Sequence, residues 1–449
     1  MMSNVNNRGL IEGPILKNLL LFALPMIAGN CLQQVYNIVD TLVVGKYIGK
    51  NALAAVGSSY MLITFLTALL IGLCMGAGAI FAHSFGAKDI KQFKKDIFLS
   101  FLFISVVTII IYLIIIPNSY EIMVLLNIPD EIMDITLDYT NIIFIGIVFV
   151  FIYNFNAYIL KAINNSKIPL LFLTISCILN IILDLYLVIN LKLGVKGAAF
   201  ATVFSQAVSS IGIFLYRVIK VKELNITKED ISFDIKRLIF IINNVLFTGL
   251  QRSFMTFGAL TIQGLVNSFG TDTMASFAAV SKIDTFAFLP IGELSNAYSI
   301  FISQNIGANN RSRIREGRKI TYLTGIGFGI FIALFVNVFA KQLMLIFVNQ
   351  DEISIIKEGI RYIQIVGTSY ALICILNLYY GHYRGLEKPH VSFILSIISL
   401  GTRNLISYAF AKTSVLGVAV IYFSIPIGWL LADLVGYIYD IIIMKKGYY

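Results

Sequence analysis

Residues Leu19–Lys46 read LLLFALPMIAGNCLQQVYNIVDTLVVGK, a run apolar enough to lie in a bilayer that nevertheless carries Pro25, Asn30, Gln33, Gln34, Asn37 and a full carboxylate, Asp40. A carboxylate at the centre of a lipid-embedded helix costs about 2.5–3.5 kcal/mol on insertion scales. A chain keeps such a group where it meets a partner, an ion or a proton to carry. Asp40 is therefore read as one wall of a cation site, with the other apolar segments arranged around it.

Apolar runs of this kind recur along all 449 residues, of which 58% are hydrophobic and 13% charged. Ordinary soluble domains carry about 25% charged residues. The runs fall at roughly 15–44, 53–81, 97–117, 132–157, 168–190, 197–219, 238–268, 274–304, 320–340, 358–383, 390–411 and 415–443. Each is long enough to cross a hydrocarbon layer of ~30 Å. The expectation is an all-α polytopic membrane protein of twelve transmembrane helices. The first run follows Arg8, Glu12 and Lys17 and ends without a small-residue cleavage site, so it is read as a retained helix.

The net charge of +10 does not indicate nucleic acid, because Lys and Arg gather in short connectors between apolar runs. Basic clusters at Lys88–Lys95, Arg217–Arg237 and Arg311–Lys319 mark one side, whereas Pro117–Asp134 has four acids and no Lys or Arg. The positive-inside rule then places both termini in the cytoplasm of a cell-membrane protein. Cys31, Cys74, Cys177 and Cys374 lie inside apolar runs without paired spacing, so neither disulfides nor a zinc site are expected. No HExxH, P-loop or GxGxxG occurs, no cofactor is implied, and the chain does not read as an enzyme.

The longest polar connector divides the chain into an N-terminal six-helix lobe (1–217), a cytoplasmic linker (218–237) and a C-terminal six-helix lobe (238–449). With an even number of helices per lobe, both enter the membrane in the same direction, and a pseudo-two-fold axis would lie along the membrane normal. A faint repeat supports this. Ser84–Asp89 (SFGAKD) and Asn305–Asn310 (NIGANN) each precede a basic cluster, and Leu193-Gly194-Val195 recurs 223 residues on as Leu416-Gly417-Val418.

The helical polar residues are mostly of the kind that hydrogen-bond between helices. The acids differ, and their depth can be gauged. Asp40 lies about 7–8 Å below the outer end of helix 1, and Asp184 about 9 Å below that of helix 5, at ~1.5 Å per residue. Asn180 shares a helix face with Asp184, Tyr36 shares one with Asp40, and Thr202 of helix 6 reaches the same depth. Two carboxylates, an amide oxygen and a hydroxyl suit a hard cation; without one, the adjacent acids repel and would hold a proton. Either Na+ or H+ would serve as a coupling ion, and separate satisfaction of each acid by backbone or water is the competing account. In the second half, Asp284 and Glu293 are secondary candidates, with Arg403, and the two acids either make a second proton or substrate site or neutralise the basic groups Arg252, Lys282 and Arg403. Asp433 and Asp440 are expected to be solvated at the inner end of helix 12.

The order and spacing of FALPMI, the VD of helix 1, SFGAKD, LGVKGAAFATVFSQ, KIDTFAFLP and QNIGANN resemble those of the MATE (multidrug and toxic compound extrusion) transporters. The resemblance covers both halves. It implies two six-helix lobes forming a V, alternating access driven by Na+ or H+ re-entry, and expulsion of amphipathic organic cations. It implies a cation site at Asp40, Asn180, Asp184 and Thr202 with a backbone oxygen at Ala198, as in the bacterial and archaeal branch whose site lies in the N-lobe. Gln33, Tyr36 and Asn154, with Asn156 beside them, correspond to the substrate cavity, and Pro25 to a bending point that gates it. RGLEKPH departs from the family pattern at the connector between helices 10 and 11.

The functional expectation is a monomeric secondary antiporter for small organic cations, in contact with membrane lipid and without nucleic acid. A flippase for lipid-linked oligosaccharides or lipid precursors is the alternative, resting on Arg252 and Arg403 as pyrophosphate ligands. A prenyltransferase would need an acidic metal-binding motif such as DDxxD, which the chain lacks.

Overall fold

The computed structural model describes residues 9–413 and 416–445, apart from the side chains of 259 and 260. Arg8 and residue 415, the expected start of the last apolar run, lie outside them. Among the described residues there are no strands, and twelve helices are long and apolar enough to cross a membrane. They are α1 Ile15–Ile48, α2 Lys50–Gly86, α3 Ile90–Ile115, α4 Asp130–Ala162, α5 Lys167–Asn190, α6 Gly194–Lys220, α7 Ile235–Asn267, α8 Thr271–Gly307, α9 Arg311–Val338, α10 Ile353–Gly385, α11 Pro389–Phe410 and α12 Ala419–Lys445.

Most of the helices outrun their apolar segments, because polar turns outside the hydrocarbon layer stay helical once capped. Asp89 accepts a hydrogen bond from the Gln92 N–H at 2.8 Å and starts α3 well before the apolar run at 97. Asn310 does the same for α9 through the Arg313 N–H at 3.3 Å, so the basic cluster from Arg311 is its first turns and not a loop. Capping of this kind satisfies donors that the first turn leaves free. α12 starts at Ala419, later than expected, and α10 contains a tighter turn at Gly367–Ser369.

The faint sequence repeat is much clearer in the connectors. Left-handed backbone recurs in matching places: Lys88 (φ 58°) with Asn309 (φ 55°), Asn164 (φ 65°) with Glu387 (φ 59°), and Gly194 (φ 59°) with Gly417 (φ 55°). Side chains vary between the halves while the turn geometry persists, since a short helix–helix connector permits few backbone paths.

The chain packs as two compact units, one running from Leu24 to Ser253 and the other combining the segment that ends at Ala23 with everything from Phe254 onward. The division therefore falls inside α1 and inside α7, not in the 218–237 linker, and it leaves each of these helices shared. For α1 the cause is visible in the second unit. Leu10 is buried, its carbonyl accepts from Asn305 Nδ2 (3.2 Å) and Arg313 Nε (3.1 Å), and the Glu12 carbonyl accepts from Arg313 Nη2 (3.0 Å).

In the first unit, α4 packs along α2 and α6, and Phe81, Phe93, Phe101, Phe151 and Phe155 form an aromatic core. Gly72 and Gly76 let α7 lie directly on α2. A Cβ at Gly72 would sit 2.8 Å from Gly249 Cα, and one at Gly76 would sit 2.9 Å from the Asn244 carbonyl oxygen. Small residues allow this backbone approach where lipid offers no hydrophobic drive for helix association. In the second unit the main pairings are α11 with α12, and α10 with α8 and α9.

Candidate functional site

α1 and α5 share an unusual ending. Each runs as a regular α-helix to within a turn of its acid and then widens into a π-turn, Val44–Ile48 after Asp40 and Leu185–Asn190 after Asp184. The widened bonds are Gly49 N–H to Val44 O (3.2 Å) and Leu191 N–H to Tyr186 O (3.1 Å). The two π segments pack on one another and on α6. π-turns inside α-helices cluster at functional sites because they re-aim side chains.

Just inside these turns, the carboxyls of Asp40 and Asp184 come within hydrogen-bonding reach of each other. Asp184 is 0% exposed and Asn180, one turn earlier on α5, is 3% exposed. Asn180 Nδ2 donates to Thr202 Oγ1 at 3.3 Å, which ties α5 to α6 at the same level. Among the described residues no donor reaches Asp40 Oδ1, Asn180 Oδ1 or either oxygen of Asp184. Four buried acceptor oxygens thus converge without a hydrogen to share. Such a set of oxygens is suited to a positive charge, either a hard cation bound by oxygen or protons.

Ala198 is fully buried on α6 in an apolar layer with Val43, Val44, Tyr139, Val188 and Val195. Val43 and Val44 follow Asp40 by less than one and a half turns, and Val188 follows Asp184 by about one turn. The layer separates the acids from the ends of their helices. Tyr36, one turn before Asp40, and Tyr139 of α4 both lie in the field of the two carboxyls. Tyr139 escaped the sequence reading because a tyrosine in an apolar helix carries no charge to single it out, and its nearness to the acids arises only when α4 packs beside α1 and α5.

Gln33 and Tyr36 are both half-buried, on the turns of α1 that lead to Asp40. Asn154 is half-buried and donates only to its own helix, to the Val150 carbonyl at 2.8 Å. Asn156 is engaged differently: its Oδ1 accepts from Arg217 Nε at 2.9 Å across from α6. Pro25 lies inside an unbroken helix, next to the point where α1 passes from one packing unit to the other. A proline there removes one backbone bond and is a common cause of helix bending.

The secondary set is spread over two places. Asp284 accepts from the Tyr362 hydroxyl at 2.6 Å and from the Tyr370 hydroxyl, and Arg403 lies in its field. Glu293 accepts from Asn296 Nδ2 at 3.2 Å, and the Asn296 Oδ1 accepts from Arg384 Nη2 at 2.9 Å. Arg403 thus faces an internal acid, and Arg252 is exposed with its stem against Gly72. The expectation of solvated acids on α12 is corrected. Asp440 is 0% exposed and paired with Arg318 and His382, and Asp433 is 7% exposed. Both point inward because α12 packs over α10 and α11 on that face.

A family model described as MatE matches residues 25–186 and 248–409. The chain is 27% identical over 394 residues to the "probable multidrug resistance protein YpnP" of Bacillus subtilis, covering 86% of each. It is 26% identical over 347 residues to the "probable multidrug resistance protein YoeA" of the same organism, covering 75% of this chain and 74% of that one. A crystal structure of MATE in complex with MaL6 shares the fold with a TM-score of 0.91, at 22% identity and 99% coverage of both chains.

Proposed function

We propose, for a chain that belongs to the MatE family of membrane transporters, that it exports amphipathic, mostly cationic organic compounds across the cell membrane in exchange for Na+ or H+. The observation that carries this reading is the Asp40–Asp184 pair, a half-buried acid beside a fully buried one, with Asp40 Oδ1 and both Asp184 oxygens unshared among the described residues. A structural pair would be closed by a donor; this one is closed only by a transferable cation. The names of the relatives, multidrug resistance proteins, support organic compounds as the cargo.

The residues divide the work as follows. Asp40, Asp184, Asn180 and Thr202, with the Ala198 carbonyl, hold the coupling ion. Gln33, Tyr36 and Asn154 face the cargo, with Asn156 holding Arg217 behind them. The ring of Tyr36 offers a cation–π surface worth about 0.5–2 kcal/mol. Because Tyr36 and Asp40 share one face of α1, a cation at the acids changes the field at the cargo surface, so the two ligands oppose each other. Pro25 lets the helix bend between the two occupancies. The charge pattern of the connectors supports cytoplasmic termini, and a single chain holds every part of the machinery. The lipid-precursor flippase is not favoured, since Arg403 faces an internal acid and the relatives are named for drug resistance.

Efflux of a fluorescent organic cation from proteoliposomes, with Na+ and H+ gradients imposed separately, tests the scheme. Transport under one gradient that Asp40→Asn abolishes is expected. Transport by Asp40→Asn at the normal rate, or none under either gradient, would overturn it.

A further inference from the structure

The second unit contains an acid that none of the roles above uses. Asp433 of α12 is 7% exposed, and among the described residues neither of its oxygens meets a donor. Its surroundings come from two neighbouring helices, α10 and α11. α10 presents Cys374, Tyr379 and Tyr380. The titratable residues of α11 are His390 near its start, with Arg403 and Tyr408 towards its end; Arg403 is turned to Asp284, and the Tyr408 hydroxyl donates to the Thr261 carbonyl. Near the start of α10, Glu358 and Arg361 pair with each other at 3.8 Å. Among the described residues, therefore, no cation compensates Asp433.

Seven residues on, the same face of α12 carries Asp440, about 10 Å away at ~1.5 Å per residue. Asp440 is bound by Arg318 of α9, and His382 Nε2 lies 3.2 Å from its Oδ1. The Tyr298 hydroxyl lies 3.1 Å from His382 Nδ1. Arg318 is partly exposed, so one end of this buried network reaches the surface. Between the two acids Gly436 brings the helix against Tyr379: a Cβ there would lie 2.9 Å from its ring. The Tyr383 hydroxyl donates to the Gly436 carbonyl. Tyr379 lies in the field of both acids.

We propose that Asp433 is a proton-binding site of the second unit, coupled through Tyr379 and the shared face of α12 to the Arg318–Asp440–His382 network. The ligand is a proton on the chemistry of the donors. One carboxylate with phenol and thiol neighbours makes no metal shell, and no group of three His, Cys, Asp or Glu suited to a metal occurs among the described residues. An isolated carboxylate in such a place is too costly to hold charged. Binding forms one O–H bond on Asp433 and release breaks it, with the proton passing to and from water. The site belongs to the second unit, whereas Asp40 and Asp184 belong to the first, and its test reads proton uptake directly, independently of transport.

The test is infrared pH titration of the full chain in lipid, in the Asp40→Asn/Asp184→Asn background. A titrating protonated-carboxyl band should persist there and vanish when Asp433→Asn is added. Tyr379→Phe should move its midpoint by about threefold in proton affinity, or half a pH unit. A band absent from the background protein, or unchanged by Asp433→Asn, would overturn the assignment, and a midpoint unmoved in Tyr379→Phe would overturn the coupling. Should Asp433→Asn not fold, Asp433→Glu replaces it: a shifted band supports the site and an identical band overturns it.

Discussion

Arg237 and Asp96 are joined by two parallel hydrogen bonds, Nε to Oδ1 and Nη2 to Oδ2, both 2.8 Å, across 141 residues of chain. Asp96 is fully buried on α3 and also accepts from Ser84 Oγ (2.6 Å) and Gln92 Nε2 (2.8 Å), so every donor it needs is present. The contrast with Asp40 and Asp184 is instructive. The buried acid that is closed by donors holds α2, α3 and the start of α7 together, whereas Asp40 Oδ1 and both oxygens of Asp184 meet no donor among the described residues.

Breaking this clamp should be costly. Removing one partner of a buried, hydrogen-bonded ion pair typically costs about 3–5 kcal/mol. Arg237→Ala is expected to lower the melting temperature of the purified protein clearly, and Lys at 237, which cannot donate in a fork, should recover only part of the loss. Thermal unfolding followed by tryptophan fluorescence or size-exclusion of heated samples measures this.

The open pair should behave oppositely. Asp40→Asn and Asp184→Asn each remove charge without volume, and each should leave melting unchanged or raised while ion-coupled efflux falls about tenfold or more, the double variant being no worse than either alone. Additive losses in proteoliposome efflux would show that the acids act separately.

Close packing of α2 on α7 makes a steric prediction. Gly76→Leu places a side chain where a Cβ already meets the Asn244 carbonyl and Val245 Cα at 2.9 Å. Overpacking of this severity costs about 1–3 kcal/mol or more, so the yield of monodisperse protein should fall. Gly57→Ala on the same helix has nothing within 4 Å and serves as the neutral control.

Outside the membrane helices, Asp230 gives a pH dependence with a definite sign. The Thr227 backbone N–H and hydroxyl hydrogen-bond its carboxylate at 2.8 and 2.7 Å, and Lys94 adds an ion pair at 3.5 Å, which together hold its pKa below the ordinary carboxylate value. A depressed folded-state pKa stabilises the fold above the unfolded value of about 3.9, and that contribution disappears as pH falls through the folded value. Asp230→Asn should therefore melt earlier than the parent at neutral pH, and the gap should close as the pH of the melt drops below about 4.

Several features were readable without coordinates because one local rule decides each of them. A hydrocarbon layer demands about twenty apolar residues per crossing, so twelve runs meant twelve helices. The cost of charge in lipid singled out Asp40 and Asp184, and loop charge gave them a common expected depth; in the structure Asn180 donates to Thr202 and the two acids lie near each other. Asn156 shows where such reading stops: its neighbour Arg217 lies 61 residues away and is found only when α4 and α6 are packed.

What the sequence by itself determined is therefore the number of helices and the residues too polar to be indifferent to lipid. Only the tertiary structure decided which of those polar residues were closed and which were left open. The reason is rotational: hydropathy along a helix carries depth but not the azimuth at which a side chain meets its neighbours. Asp433 and Asp440, placed near an interface by position, are turned inward by the packing of α12, one into an ion pair and the other into none. The sharing of α1 between two packing units has the same origin, since it depends on the Leu10 and Glu12 carbonyls finding Asn305 and Arg313, about 300 residues away in the chain.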